Sequence, residues 1–235
     1  MHSPTCAPPD RSSRPGPALV AGAVTSGLAL VLLVLVVAEW SPLIALDRSV
    51  AESLHRRAVA EPGMVHANRV LTDWVWDPWT MRALIAAAVI TLWWRGARHA
   101  ALWVAGASLV SVLVQQGMKA AVGRERPQWP DPVDSANYAA FPSGHAMTAV
   151  VSCGLLVWVL RLCGAGRRLW RGAAAVAVVS GVGVGATRLY LGVHWLTDVV
   201  AGVLLGVAVV AFTVAGYTAR RAPVEAEAEA ASRRG

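Results

Sequence analysis

Apolar residues in this chain gather in long blocks, with polar residues confined to the gaps between them. The first block, residues 18–38, is almost unbroken. At 1.5 Å per residue it reaches about 30 Å, the thickness of a bilayer core. Five more blocks follow at 79–94, 99–118, 144–163, 169–187 and 195–217. The pattern predicts an all-α fold: a polytopic membrane helix bundle with six transmembrane helices. The second block is the shortest and carries Arg82 near its start, a position from which a long side chain reaches the headgroups. The first block is too long for a signal peptide and no small-residue cleavage site follows it, so an uncleaved first span is expected.

The segment 39–78 is mixed. Ser49-x-x-Glu52 has the form of a capping box, Val50, Leu54 and Ala58 repeat at helical spacing, and Pro62-Gly63 closes the run. This predicts a short amphipathic helix on the membrane surface. Trp74, Trp76 and Trp79 come next, as expected where a chain re-enters the interface. Residues 1–17, rich in Pro, Ser and Arg, read as a disordered N-terminal tail. Residues 18–217 form the six-span domain, and 218–235 read as a second disordered tail. Gly181-x-x-x-Gly185 and Gly202-x-x-x-Gly206 suit close helix packing, expected within the monomer.

Composition narrows the class. Hydrophobic residues make up 56% and charged residues 15%, against about 25% charged in soluble domains. An ordinary soluble domain and a disordered chain are both excluded. The net charge of +7 does not point to nucleic acid, because no basic stripe with interleaved aromatics occurs. The distribution of Arg favours both termini in the cytoplasm of a cell-membrane protein. Cys6, Cys153 and Cys163 lack the paired spacing of a disulfide framework.

Three polar segments interrupt the blocks. The first, Lys119 to Arg126-Pro127, lies where the third span ends and holds the only lysine of the chain. The second is Pro142-Ser143-Gly144-His145, at the start of the fourth span. The third, Thr187-Arg188 to His194 and Asp198, joins the fifth and sixth. With six spans and the N-terminus inside, all three emerge on the outer face. Lys119, Arg126 and Arg188 supply three cations whose geometry suits phosphate oxygens. Ser143 and Gly144 add a hydroxyl and N–H groups at a helix start, an anion site. His194 and Asp198 are four apart, so on a helix the carboxylate can take the imidazole N–H, fix its tautomer and leave the other nitrogen as a nucleophile. His145 is then the acid for the leaving oxygen. His145, His194 and Asp198 could in principle hold a metal, but three adjacent cations oppose one, so neither metal nor cofactor is expected. His2, His55, His66 and His99 read as polar residues of the tail, the surface segment and a span end.

Lys-x6-Arg-Pro, Pro-Ser-Gly-His and Arg-x5-His-x3-Asp resemble the three signature motifs of the type 2 phosphatidic acid phosphatase family, which shares its site with vanadium haloperoxidases. Lys119, Arg126, Pro127, Pro142, Ser143, Gly144, His145, Arg188, His194 and Asp198 match position for position. Thr187 departs from the usual Ser but keeps a hydroxyl. The resemblance implies a metal-independent lipid phosphatase embedded in the membrane. In it His194 forms a phosphohistidine, Asp198 orients it, and His145 protonates the leaving group. Lys119, Arg126, Ser143, Gly144 and Arg188 hold the phosphoryl oxygens. Its implied partner is a phosphorylated membrane lipid: phosphatidic acid, phosphatidylglycerol phosphate and undecaprenyl diphosphate all fit. A lipid phosphotransferase using the same phosphohistidine, or a non-catalytic membrane protein of the same fold, would carry similar motifs. Oligomeric state leaves no mark in the sequence.

Overall fold

The computed structural model describes residues 15–232, with side chains described for 16–220. Among the described residues eight α-helices follow in chain order: α1 (Pro15–Val37), α2 (Ser41–Ala60), α3 (Pro62–Val70), α4 (Pro78–Trp94), α5 (Arg98–Val122), α6 (Gly144–Leu162), α7 (Arg167–Tyr190) and α8 (Leu196–Ser232). A single π-helical turn, Leu71–Val75, links α3 to the chain leading into α4.

Five of these helices, α1, α5, α6, α7 and α8, are long and apolar enough to cross a membrane. Their outward faces carry Leu19, Val31, Leu102, Leu109, Val178 and Val182 exposed, which is the surface a lipid solvent favours. This is a multi-pass membrane protein. Helix α4, expected as a span, has 17 residues and covers about 25 Å, at the short end of spanning lengths. Asp77 fixes its start by accepting the Trp79 and Thr80 N–H groups at 2.7 and 3.1 Å, and Pro78 occupies the first turn.

The surface helix differs from expectation. It begins at Ser41 with Pro42 in its first turn, where a preset φ suits helix initiation. Ser49 and Glu52 therefore lie inside the helix and cap nothing. The inward stripe is Asp47, Ala51, His55 and Ala58, so the face that packs on the bundle carries a carboxylate and an imidazole. Pro62 ends α2 and opens α3, so the surface element is two helices rather than one short one. The tails also differ. Helix α1 already begins at Pro15, inside the expected N-terminal tail, and 1–14 lie outside the described residues. Helix α8 runs on to Ser232 through the expected C-terminal tail. Its alternating Glu and Ala at 225–231 are strong helix formers. Residues 233–235 lie outside the description.

Helix α6 is the centre of the bundle. Val151 and Leu155 pack with Ile85 and Leu92 of α4 and Val104 of α5 in the main apolar core. A second cluster joins Ala146 and Ala149 of α6 to Val184 of α7 and Val199 of α8. The glycine pairs serve this packing inside the chain. A Cβ at Gly202 would stand 2.6 Å from the Ser143 carbonyl oxygen, and one at Gly206 2.9 Å from Val150 Cγ1. A residue larger than glycine at 202 has no room while α6 and α8 touch in this way, and that crossing fixes where α6 begins relative to the start of α8.

Candidate active site

The ends of α5, α6 and α7 and the start of α8 meet at one end of the bundle, and there the three motifs converge. The turn between α7 and α8 carries His194. Gly192 in that turn adopts φ 67°, a left-handed conformation that glycine accepts without strain. Leu191 and Val193 on either side are buried against Ala58 of α2 and Val65 of α3. The His194 ring is held from both sides. Nδ1 lies 3.4 Å from Asp198 Oδ2 and Nε2 lies 3.1 Å from Arg126 Nη1. A guanidinium can only donate, so the Arg126 contact favours an accepting Nε2 and a proton on Nδ1, toward Asp198; the Ala140 backbone also bonds the ring and favours its protonation. His194 is 1% exposed. Burial first, then Arg126, Arg188 and Lys119, holds its pKa well below the ordinary imidazole value. At neutral pH this favours the uncharged ring.

Asp198 lies in the first turn of α8 and is fully buried. Its Oδ2 accepts the Trp195 N–H at 2.9 Å, closing the helix start in the manner of a capping box. The Ser143 N–H donates to the Asp198 carbonyl at 2.9 Å, tying the start of α6 to α8.

The cations surround this pair. Arg126 donates through Nε to the Tyr138 carbonyl, through Nη2 to that of Asn137, and through Nη1 to that of Val193. Burial draws its pKa below the ordinary guanidinium value, partly offset by Asp198, and it remains a cation. Lys119, buried at the last turn of α5, donates to the Ala139 carbonyl. Arg188 is 3% exposed. It donates to Thr72 Oγ1 at 3.2 Å and stands 4.0 Å from Asp134 Oδ2. Two buried donors, Arg188 Nε and Ser143 Oγ, have no hydrogen-bond partner among the described residues. Gly144 packs directly on Gln115, where a Cβ would stand 2.6 Å from the side-chain nitrogen. His145, half-buried in the first turn of α6, lies within electrostatic reach of Arg188, His194, Arg126 and Lys119. The structure therefore brings together all eight expected site residues. The Thr187 hydroxyl donates back to the Val184 carbonyl at 2.8 Å and takes no part in the site.

Several participants are absent from the motif reading. Arg124 donates to Asp198 Oδ1 at 2.6 Å and to Asp47 Oδ2 at 2.7 Å. Asp47, 1% exposed on α2, also accepts the Thr197 N–H and hydroxyl. His55, expected as a bland surface residue, is buried instead. It stacks on Trp129 with centroids 4.0 Å apart and bonds Asp131 at 3.1 Å. Trp129 in turn donates to the Gly192 carbonyl at 2.9 Å, two residues from His194. The Arg-x-Arg spacing of 124 and 126 was the one local signal available. The partners of Arg124 and His55 lie too far away in sequence for any spacing rule.

Cavities flank the segment 123–126. One of about 720 Å³ is lined by Asp47, Arg48, Arg124 and Trp195, and one of about 480 Å³ by Arg124, Arg126, Tyr138 and Ala139.

The family model described as PAP2 superfamily matches residues 100–222. Phosphatidylglycerophosphatase B of Bacillus subtilis is 34% identical over 110 residues, covering 45% of this chain and 51% of that protein. Undecaprenyl-diphosphatase of Sulfolobus acidocaldarius is 26% identical over 152 residues, covering 61% of this chain and 64% of that protein. The chain thus matches between about half and just under two thirds of the length of these relatives. The crystal structure of a transmembrane PAP2 type phosphatidylglycerolphosphate phosphatase from Bacillus subtilis shares the fold. Its TM-score is 0.73 at 21% identity, over 85% of this chain and 96% of that one. With more than half of its length inside the family match, and with that match enclosing all three motifs, this chain belongs to the PAP2 superfamily.

Proposed function

We propose that this protein is an integral membrane phosphatase that hydrolyses a phosphomonoester or diphosphate lipid through a phosphohistidine, without a metal ion. The observation that carries the reading is the setting of His194: Nδ1 lies 3.4 Å from Asp198 Oδ2 and Nε2 3.1 Å from Arg126 Nη1, which suits a neutral ring with its Nε2 lone pair turned toward a cation of the phosphate set. In the first step Nε2 attacks phosphorus in line. The bond from phosphorus to the lipid oxygen breaks with its electron pair on oxygen, and His145 protonates that oxygen. In the second step water attacks the phosphohistidine, His145 takes its proton, and phosphate leaves. Asp198 balances the charge that develops on the imidazole. Lys119, Arg126, Arg188, Ser143 and the Gly144 N–H hold the three equatorial oxygens; Ser143 Oγ and Arg188 Nε are the donors with hydrogen-bonding capacity to spare.

The magnitudes decide what matters. Uncatalysed phosphate ester hydrolysis is so slow that a site must supply on the order of 20 kcal/mol. Acid catalysis of 10²–10⁴-fold covers about 3–5 kcal/mol. Preorganised charge and positioning carry the rest.

The relatives named for phosphatidylglycerophosphate and for undecaprenyl diphosphate support lipid phosphate as the substrate class. In this reading α4 is the sixth span, the six-span domain covers 18–217, both termini are cytoplasmic, and the site faces outward at headgroup level in the cell membrane.

The test is phosphate release by purified protein in detergent with EDTA. Phosphatidic acid, phosphatidylglycerol phosphate and undecaprenyl diphosphate are offered in parallel, with His194→Ala as control. Release that survives EDTA and disappears in the variant is the expected result, and the preferred lipid identifies the substrate. Release that requires added metal, or that persists in His194→Ala, overturns the mechanism. A labelled phosphoenzyme that discharges only to an added alcohol would make the protein a lipid phosphotransferase.

A further inference from the structure

Behind the nucleophile lies a closed ring of charge that the phosphohistidine chemistry does not itself require. Arg124 forks between two buried carboxylates, with Nη1 to Asp198 Oδ1 at 2.6 Å and Nη2 to Asp47 Oδ2 at 2.7 Å. The same Nη1 also donates to Thr197 Oγ1 at 2.6 Å. Thr197 completes the ring by giving its hydroxyl to Asp47 Oδ2 at 2.6 Å and its N–H to Asp47 Oδ1 at 3.0 Å. Asp47 therefore caps the first turn of α8 from another helix, at the end where the helix dipole favours a negative charge. Asp47 and Asp198 are 1% and 0% exposed. Ion pairs this deep stabilise only when their polar atoms are matched, and here every oxygen of both carboxylates has a partner.

We propose that Arg124 and Asp47 are positioning residues for the nucleophile. Arg124 occupies Oδ1 of Asp198, so that only Oδ2 is left for Trp195 N–H and His194 Nδ1. Asp47 holds Arg124 in that fork, and helix α2 thereby sets the orientation and charge felt by His194. The proposal rests on the phosphohistidine reading for its catalytic consequence but not for its geometry.

The groups that face His194 are Asp198 on α8, Arg126 on the segment after α5, Lys119 on α5, Arg188 on α7 and His145 on α6; Arg124 reaches it through Asp198. Asp47 reaches it through Arg124. Asp198, Arg124 and Asp47 together carry one net negative charge, as Asp198 alone would, but spread away from the imidazole. Two perturbations follow with opposite signs. Asp47→Asn keeps an acceptor for the Thr197 N–H and removes the charge balancing Arg124. More of the Arg124 charge then falls on Asp198, and His194 binds its proton less readily. The pair Asp47→Asn with Arg124→Gln removes both charges. Asp198 then turns undivided to His194, which binds its proton more readily.

The experiment is the ¹⁵N-histidine spectrum of the whole protein in detergent micelles as a function of pH, with His194→Ala to assign the resonance. Activity toward phosphatidic acid with EDTA is measured alongside. The expected result is an Nδ1–H tautomer in the unaltered protein and a His194 midpoint lowered by roughly half a unit or more in Asp47→Asn and raised by a similar amount in the double variant. The kcat should fall about tenfold or more in each while KM changes little, because the phosphate-binding cations are untouched. Should the double variant not fold, Arg124→Lys keeps a cation but cannot bridge both carboxylates. It should lose kcat with KM retained. Midpoints and tautomer that stay put in folded variants, or kcat at the unaltered level, overturn the proposal. The spectrum separates this failure from failure of the phosphatase reading. If the unaltered protein releases no phosphate, that reading falls, while the His194 midpoints still decide the role of Arg124 and Asp47.

Discussion

The crossing of α6 and α8 offers a direct test of how tightly the fold sets the site. Gly202 lies one turn after Asp198, and its neighbour across the interface is the Ser143 backbone. An added Cβ would stand 2.6 Å from the Ser143 carbonyl oxygen, 3.2 Å from Met147 N and 3.3 Å from Ala146 Cβ. The first distance is ~0.8 Å short of ordinary van der Waals contact. The two nearest atoms are backbone and cannot rotate away, so Gly202→Ala must move the helices apart by a comparable amount. Overpacking of this kind costs about 1–3 kcal/mol. A shift of that size would also stretch the 2.9 Å bond from Ser143 N–H to the Asp198 carbonyl beyond hydrogen-bond length, a loss of about 1 kcal/mol. The same shift separates Ser143 and His145 on α6 from His194 and Asp198 at the start of α8. A misplacement near 1 Å can cost about 10²-fold in rate, so kcat should fall roughly 10- to 100-fold. Gly206→Ala is the control: its closest neighbour is the side chain of Val150, at 2.9 Å, one turn further from the site. It should lower thermal stability in detergent with a much smaller loss of kcat. A Gly202→Ala protein with unchanged melting temperature and kcat within about twofold of the unaltered protein would refute the claim that this contact sets the catalytic distance.

Other expectations follow from the same geometry. The pKa of His194 lies well below the ordinary imidazole value because of burial and then Arg126, Arg188 and Lys119, so the ring stays neutral well into the acid range. The acid limb of kcat/KM should fall below pH ~6.5, and Arg126→Gln, which removes a nearby cation, should move that limb upward; a pH profile of both proteins checks the sign. Asp198→Asn removes the carboxylate that fixes the Nδ1 proton and should lower kcat about 10²–10⁴-fold, read as single-turnover phosphate release. Vanadate, a tetrahedral phosphate mimic, should inhibit in competition with the lipid. Arg188→Gln should weaken that inhibition, which a titration of inhibition constants measures.

The parts of the molecule legible in the sequence are those governed by strong local rules. A bilayer demands long apolar helices, so the blocks at 144–163 and 195–217 foretold α6 and most of α8 closely. A four-residue spacing foretold the contact of His194 with Asp198, although His194 lies in the turn just before α8 and not on its helical face. Asp47 left no such mark: it meets Arg124 across 77 positions and Thr197 across 150. The start of α2 was misplaced because Ser49 and Glu52 satisfy a capping pattern that Pro42 pre-empts earlier. The polar stripe of α2 was missed for a related reason. Apolar spacing at Val50 and Leu54 suggested one buried face, whereas the bundle end offers Arg124 and Thr197, and so buries Asp47.

The loop before α6 was equally opaque, because its contribution is made by backbone carbonyls. Those of Asn137 and Tyr138 take Arg126, and that of Ala139 takes Lys119. Under the proposed chemistry this bears on binding. Arg126 already donates to three backbone carbonyls, so phosphate at its fork must replace bonds rather than add them. Hydrogen bonds between two charged partners are roughly twice as strong as neutral ones, and the exchange favours phosphate by that difference alone. Arg126 also covers the Nε2 lone pair of His194. A turn of Arg126 from imidazole to phosphate would bind the substrate and uncover the nucleophile in one movement. Water, a neutral acceptor no better than the carbonyls it would displace, gains nothing from the same exchange.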